Sequence, residues 1–443
     1  MAKAHKPILS YYGDDFTGST DVMEALASNG VSTVLFMKIP DDSILSRFSH
    51  YRAIGIAGTS RSETPEWMDK NLGPIFEWLK SLDADICHYK VCSTFDSSPE
   101  VGNIGKAVEI GKSVFNQAYV PLVVGAPQLK RYTAFGHLFA AYQGKPYRID
   151  RHPVMSRHPV TPMQEADLRL HLAKQTKLKT DLIDLALLHS RNLQTIDKVT
   201  SVANGTVFFD VDSPETQRYA GEQLWRLKNQ GGWFVAGSSG VEYALLSCWK
   251  NMALFGEAPL FNSPGKVDRI AVVSGSVSPT TERQIQHARH DGFDLIPVSP
   301  LDLVGENEAS ILDAAVTQAY EVLKKGRSPL ICTALGPSHD LGIELDKHPD
   351  ARHRIGRALG KVLRRLVELQ DLKRVVIAGG DTSSHALREL DIEALTTLMP
   401  LPETPGSPLC LAHGSAAATD GLQIALKGGQ IGNDDYFSTI RSG

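Results

Sequence analysis

The chain has 443 residues, 42% hydrophobic and 22% charged, with 46 Lys+Arg against 50 Asp+Glu and a formal net charge of −4. At roughly 150 residues per domain this allows two or three domains, and such a length buries more than one sizeable core. The even balance excludes an electrostatic nucleic-acid binder, which needs a basic surplus to displace counterions, and no apolar run is long enough to cross a bilayer.

Taken from the start, Met1 to Pro7 carry Lys3, His5 and Lys6, but Ile8-Leu9-Ser10-Tyr11-Tyr12 is too short and too polar for a secretory core. A cytoplasmic protein is expected. Short apolar runs predict strands over 8–12, 31–37, 53–57, 86–90, 122–125, 207–211 and 233–236. A second series falls over 270–274, 295–298, 330–333, 375–378 and 409–412. Amphipathic stretches, among them 21–28, 280–290 and 355–369, predict helices between them. This alternation reads as two α/β domains with largely parallel sheets and a ligand cleft between them. Residues 255–265 carry two Pro and two Gly without helical period and read as a connector. It separates an N-terminal domain over 1–250 from a C-terminal domain over 268–443.

Residues 127–164 resist assignment, with five prolines and the basic or imidazole side chains of Lys130, Arg131, Arg148, Arg151, His152, Arg157 and His158. Such a segment is either a functional loop or a solvated excursion. The basic residues of 355–369 lie opposite its apolar face and read as a solvated helix surface. Five scattered cysteines without a C-x-x-C pair, and histidines off the i, i+4 spacing, predict neither a disulfide framework nor a zinc helix.

Chemistry in open α/β sheets collects at the carboxyl ends of strands. After the first strand come Asp14, Asp15, Phe16, Thr17, Gly18 and Ser19. Two adjacent carboxylates before a glycine make a polar site in which one can accept a proton from a substrate hydroxyl. A helix cap at Thr17 or Ser19 would use one such residue, not two carboxylates. After the third strand, Arg61 can clamp a carboxylate bidentately. After the fourth, Lys90 precedes Cys92, Ser93 and Thr94, a cation beside hydroxyls that suits a small polyhydroxylated anion. Cys92 reads as a packed thiol, since no His and carboxylate partners are spaced for a nucleophile.

The C-terminal half carries three glycine-rich turns: Ser274 to Ser278, Gly379 to Ser384, and Lys427 to Gly432. Glycines let a backbone approach phosphate, and free N–H groups at helix starts bind it, so three in one domain point to a nucleotide. No Gly-x-Gly-x-x-Gly follows a strand. Gly105 to Ser113 has one residue too many for a P-loop and sits in a helical pattern.

With these motifs in this order, the chain resembles the four-carbon acid sugar kinases along essentially its whole length. Asp14-Asp15-Phe16-Thr17-Gly18 matches their opening Asp-Asp-x-Thr-Gly, and Ser60-Arg61-Ser62 their Thr-Arg-Ser-like turn. Lys90 to Thr94 matches Lys-x-Asp-Ser-Thr, while Gly275 to Ser278, Gly379 to Thr382 and Lys427 to Gly432 match three later turns. The resemblance implies an acid-sugar domain followed by an ATP domain, with phosphoryl transfer across a cleft between them. It casts Asp15 or Asp14 as base or orienter, with Lys90 beside them. Arg61 and Lys90 would bind the substrate carboxylate, and Cys92, Ser93 and Thr94 the rest of the acid. Ser274, Ser276, Gly379, Gly380, Asp381, Thr382, Gly428 and Gly429 would hold ATP, with Asp381 toward Mg²⁺. The implied partner is a small sugar acid, with no nucleic acid or membrane, and a homo-oligomer is compatible. Cys92 departs from the usual Asp, and Phe95-Asp96-Ser97 stands where leucine-arginine-glycine is usual. In this the chain resembles the subgroup acting on 3-oxo-isoapionate more than the threonate or erythronate kinases. A sugar-acid dehydrogenase would need the missing dinucleotide fingerprint, and an exported solute-binding protein an export signal.

Overall fold

The computed structural model describes residues 6–228, 233–348, 350–401, 403–404 and 406–443, with every side chain except that of Asp381. The chain divides into two compact units, Met1–Thr33 with Ile39–Pro259 and Val34–Lys38 with Leu260–Gly443. The strands in chain order begin β1 (Leu9–Gly13), β2 (Thr33–Phe36), β3 (Ala53–Ala57), β4 (Ile86–Lys90), β5 (Val120–Val123), β6 (Arg131–Ala134), β7 (His137–Tyr142), β8 (Lys145–Arg148), β9 (Lys179–Ile183), β10 (Gly205–Phe209) and β11 (Phe234–Gly237). They continue β12 (Ala271–Ser274), β13 (Phe293–Pro297), β14 (Ser328–Cys332), β15 (Arg374–Ala378), β16 (Ile392–Met399), β17 (Leu409–Gly414) and β18 (Gln423–Lys427).

In the first unit the order is β3-β1-β4-β11-β5-β10-β9, every neighbour parallel. Helices cover such a sheet on both faces, so its strands read as continuous apolar runs. β4 is buried throughout although it contains His88 and Lys90. Each buried polar group meets a partner from a helix: His88 pairs with Glu242, and Lys90 faces Asp21. The register aligns Gly13 with Ala57 and Lys90, Lys90 with Gly237, and Gly237 with Val123. The chain therefore leaves β1, β3, β4, β5 and β11 along one edge.

The segment 127–164 is not the irregular stretch its prolines suggested, because β6, β7 and β8 form an antiparallel sheet. Its two turns, Phe135-Gly136 and Gln143-Gly144, have positive φ at both positions, the geometry that twists with a hairpin. The two X-Gly dipeptides were the available signal.

In the second unit β13-β14-β12-β15-β18 are parallel, and β17, β16 and β2 continue antiparallel. The core packs Val272, Ile285, Phe293, Leu330, Val376 and Phe437. Val34 to Phe36 pair with β16, so a strand expected in the N-terminal domain packs in the C-terminal one. Four helices begin with Ser or Thr capping and Pro in the first turn, at Thr64-Pro65, Ser213-Pro214, Ser278-Pro279 and Ser299-Pro300. Basic residues on the helix Ala351–Gln370 meet acidic neighbours, Lys361 with Glu308 at 3.1 Å and Arg365 with Asp313 at 2.6 Å. No described helix is long and apolar enough to cross a membrane.

Candidate active site

The carboxylates after β1 divide their work. Asp15 caps the helix Phe16–Ser28: Gly18 N donates to its Oδ1 at 2.6 Å, and Arg61 Nη1 to its Oδ2 at 3.1 Å. The cap considered at Thr17 or Ser19 is thus Asp15 itself. Asp14 is buried, and its Oδ1 has no hydrogen-bond partner among the described residues. Burial, with Asp15 and Asp96 adding to it, pushes the Asp14 carboxyl up to about 8 although Arg61 and Lys90 pull the other way. A Cβ on Gly18 would lie 2.9 Å from Lys90 Nζ, so glycine lets that ammonium approach the helix start.

Arg61 follows β3 in the turn Ser60–Ser62, and its Nη2 donates to both Asp96 oxygens at 3.0 and 2.9 Å. Cys92, Asp96, Asp15 and Asp14 around it outweigh burial and hold the guanidinium well above the ordinary arginine value. Asp96 also accepts from Thr94 Oγ1 at 2.5 Å and Thr161 Oγ1 at 3.0 Å. Burial opposes its charge, but Arg61 and Thr94 hold its carboxyl below the usual range. Phe95 makes this possible: at φ +54 it turns the loop after β4 back on itself, placing Asp96 toward Arg61. Removing one partner of such a buried pair typically costs about 3–5 kcal/mol.

Lys90, buried at the end of β4, faces Asp21 Oδ2 at 3.7 Å. Burial alone would lower its pKa, yet Asp21, Asp15, Asp14 and Cys92 together raise it. Asp21 in turn accepts a hydrogen bond from Ser239 Oγ. Cys92 and Ser93 are half-buried, and Thr94 Oγ1 lies 3.0 Å from Cys92 Sγ. Asp14, Asp15, Arg61, Lys90, Cys92 and Thr94 thus share one edge. Sequence reasoning missed Asp96, Asp21, Ser239 and Thr161 as members; Asp96 registered only as a departure from a pattern, and the others carried no local signal.

In the second unit the three glycine-rich turns line a cavity of about 490 Å³. Ser276, Gly379, Gly380, Thr382 and Gly429 form one end, and Pro300, Leu341, Leu345 and Ile355 are also among its walls. A Cβ on Gly275 would lie 2.2 Å from Thr382 Oγ1, and Gly379 has φ +121. Ser278 Oγ donates to the Gly429 carbonyl, tying the first turn to the third. Lys427 Nζ donates to Thr281 Oγ1 at 3.1 Å and to Gly428 O at 2.9 Å, and burial lowers its pKa to about 8. Ser274 is fully buried beneath the first turn, and neither it nor Gly428 is among the lining residues. The side chain of Asp381 lies outside the described residues. A cradle closed to side chains at one end, with apolar walls nearby, fits a nucleoside polyphosphate. Among the described residues no cluster of three His, Cys, Asp or Glu could hold a metal ion.

Residues 9–245 match the family of sugar-binding N-terminal domains, and residues 271–437 its companion, the nucleotide-binding C-terminal domain. The chain belongs to the four-carbon acid sugar kinase family. It is 44% identical over 447 residues to a 3-oxo-isoapionate kinase of Paraburkholderia graminis, covering 98% of this chain and 94% of that one. A 3-oxo-tetronate kinase of Cupriavidus necator is 27% identical over 451 residues, covering 98% and 96%. The fold is shared with the crystal structure of Haemophilus influenzae protein HI1011, at TM-score 0.73 and 24% identity over 98% of this chain and 99% of that one. As a member of this family the chain is an enzyme, a sugar-acid kinase with ATP as phosphate donor. The dehydrogenase and solute-binding alternatives fall away.

Proposed function

We propose that this kinase phosphorylates a hydroxyl of a branched 3-oxo acid of the 3-oxo-isoapionate type, with Asp14 accepting the hydroxyl proton. The observation that carries the reading is the buried Asp14 carboxyl, whose Oδ1 has no hydrogen-bond partner among the described residues, in a site that also holds Lys90. Asp15 is already committed to a cap and to Arg61, which leaves Asp14 as the acceptor. The substrate hydroxyl donates to Asp14 Oδ1; its oxygen forms the bond to the γ-phosphorus as the bond to the β–γ bridging oxygen breaks and ADP departs. The proton passes to Asp14, and Lys90 offsets the charge that develops on the oxygen. Phosphoryl transfer of this kind rests chiefly on position and electrostatics, to which a positioned base adds about 10²- to 10⁴-fold.

The glycine turns Gly275–Ser278, Gly379–Thr382 and Gly428–Gly429 are assigned to the phosphates, with Ser276 and Thr382 as hydroxyl donors. Mg²⁺ arriving with ATP would offset the negative charge of the phosphates, and Asp381 is the residue proposed to hold the metal or its waters. The acid class follows from the 44% identity to a 3-oxo-isoapionate kinase against 27% for a 3-oxo-tetronate kinase. Cys92, in place of a carboxylate, removes one acceptor from the wall that reads the acid. The test is ADP release from MgATP across four- and five-carbon sugar acids and their 3-oxo forms. Turnover greatest on the branched 3-oxo acid is expected. Equal turnover on the linear acids overturns the substrate assignment, and silence on all acids together with no ATP binding by calorimetry overturns the kinase reading.

A further inference from the structure

The cations of the acid-binding edge can be matched against its carboxylates. Arg61 is engaged by Asp15 and Asp96, and Lys90 by Asp21, with Asp15 and Asp14 near it. The two cations expected to hold the substrate carboxylate already have internal counter-ions.

A third cation stands in the same row. β5 aligns through β11 with Lys90, so the chain leaving β5 enters this edge. It passes through the turn Pro127–Leu129 and then Lys130 at φ +54, which delivers Arg131 at the start of β6. Arg131 Nη1 donates to the carbonyls of Leu129 at 3.0 Å and Lys130 at 3.3 Å, which fixes the plane of the guanidinium. Its Nε is buried and has no hydrogen-bond partner among the described residues. Burial lowers the Arg131 pKa, and Cys92 is the neighbour that opposes this, whereas no carboxylate does. Cys92 also acts on Arg61, so both guanidinium groups lie within electrostatic reach of it. A guanidinium held by two carbonyls, with an orphan donor and no carboxylate partner among the described residues, suits an anion that arrives from outside.

Resting on the sugar-acid kinase reading, we propose that Arg131 binds the carboxylate of the acid substrate, with Cys92 lying along the bound acid between it and Arg61. The irregular-looking segment thereby supplies a substrate-binding residue. Arg61 holds Asp15 and Asp96 in place.

The test compares wild type, Arg131→Gln and Arg131→Lys on the best 3-oxo acid and on its neutral analogue, in which the carboxylate is a hydroxymethyl group, read as inhibition where turnover is absent. Losing charge-assisted hydrogen bonds predicts an acid KM about 10- to 150-fold higher in Arg131→Gln. The KM for ATP and the constant for the neutral analogue stay within about twofold of wild type, the scatter expected where no such bond is lost. Arg131→Lys recovers part of the loss, since it keeps the charge and not the fork. An unchanged acid KM, or an equal loss on acid and neutral analogue, overturns the assignment. Should wild type turn over no acid, the kinase reading fails separately. Calorimetric binding of threonate to wild type and to Arg131→Lys then decides Arg131, with equal affinities counting against it.

Discussion

The candidate sites of the two units are built by different means. The first builds its site from side chains: Asp14 and Asp15 after β1, Arg61 after β3, Lys90 at the end of β4 and Asp96 from the loop that follows. These groups are mostly buried and hold one another in position. The second builds its site mainly from backbone, with glycines at three turns and a few hydroxyls, and the buried Lys427 behind them. The difference suits the ligands proposed for them. A phosphate chain is read by N–H groups that any residue can supply, provided no Cβ intrudes. A small acid with several hydroxyls needs charges and acceptors aimed individually. The first site should therefore fail when a charge is removed or titrated, and the second when volume is added.

Removing Asp14 is the severest break. Asp14→Asn keeps the shape and loses the proton acceptor, so kcat should fall by about 10²- to 10⁴-fold with the KM for ATP unchanged. The wild-type profile carries the sign. With its carboxyl raised to about 8, Asp14 is mostly protonated at neutral pH, so kcat/KM for the acid should climb as pH rises through about 8. A rate–pH profile lacking that limb, or one that keeps it in Asp14→Asn, would sink the assignment. Stability moves the other way. The folded state retains the Asp14 proton where the unfolded chain has lost it, so this group destabilises increasingly as pH rises from about 4 to about 8. Thermal melts of Asp14→Asn should be flatter over that window.

The second site should yield to a methyl group. Gly379 has φ +121, and a Cβ there would lie 2.8 Å from Thr382 Oγ1. Gly379→Ala strains the turn by about 1–3 kcal/mol, which as a binding loss raises the KM for ATP by about 5- to 150-fold. Calorimetric affinity for the acid should not change. Equal losses for both ligands would mean that the two sites do not fail independently.

How much of this could be read in advance differs between the units in the same way. The strands 53–57 and 86–90 were legible to the residue, because buried parallel strands are continuous apolar runs bounded by turns. β9 was not, being an edge strand with exposed and half-buried residues along Lys179–Leu182. β16 and β18 were missed as well, the first holding Glu393 and two threonines, the second with three apolar residues between Gln423 and Lys427. The glycine turns announced themselves locally, as a backbone site must. The charged site was half legible. Asp14, Asp15, Arg61 and Lys90 sit directly after their strands, but Asp96 depends on the left-handed Phe95 and Thr161 on a segment that returns from far along the chain. Nothing local marked Asp15 as the cap and Asp14 as the orphan; only their opposite surroundings separate them.

Lys427 offers the mildest and most discriminating comparison, because it is a buried charge that holds the glycine turns from behind the cavity. It ties Thr281 to the carbonyl of Gly428, and burial has lowered its pKa to about 8. A binding loss equivalent to one hydrogen bond, about 0.5–1.5 kcal/mol, raises the KM for ATP of Lys427→Met about 2- to 12-fold at pH 7 with the acid KM unchanged. The cation is present below about 8 and lost above it, so the wild-type KM for ATP should climb in alkali while that of Lys427→Met stays level. The two sites then titrate near the same pH with opposite consequences, the acid site gaining as Asp14 ionises and the nucleotide site weakening as Lys427 is neutralised. A raised but parallel pH curve in Lys427→Met would mean that the lysine acts as a buttress for the turns and that its charge does not reach the phosphates.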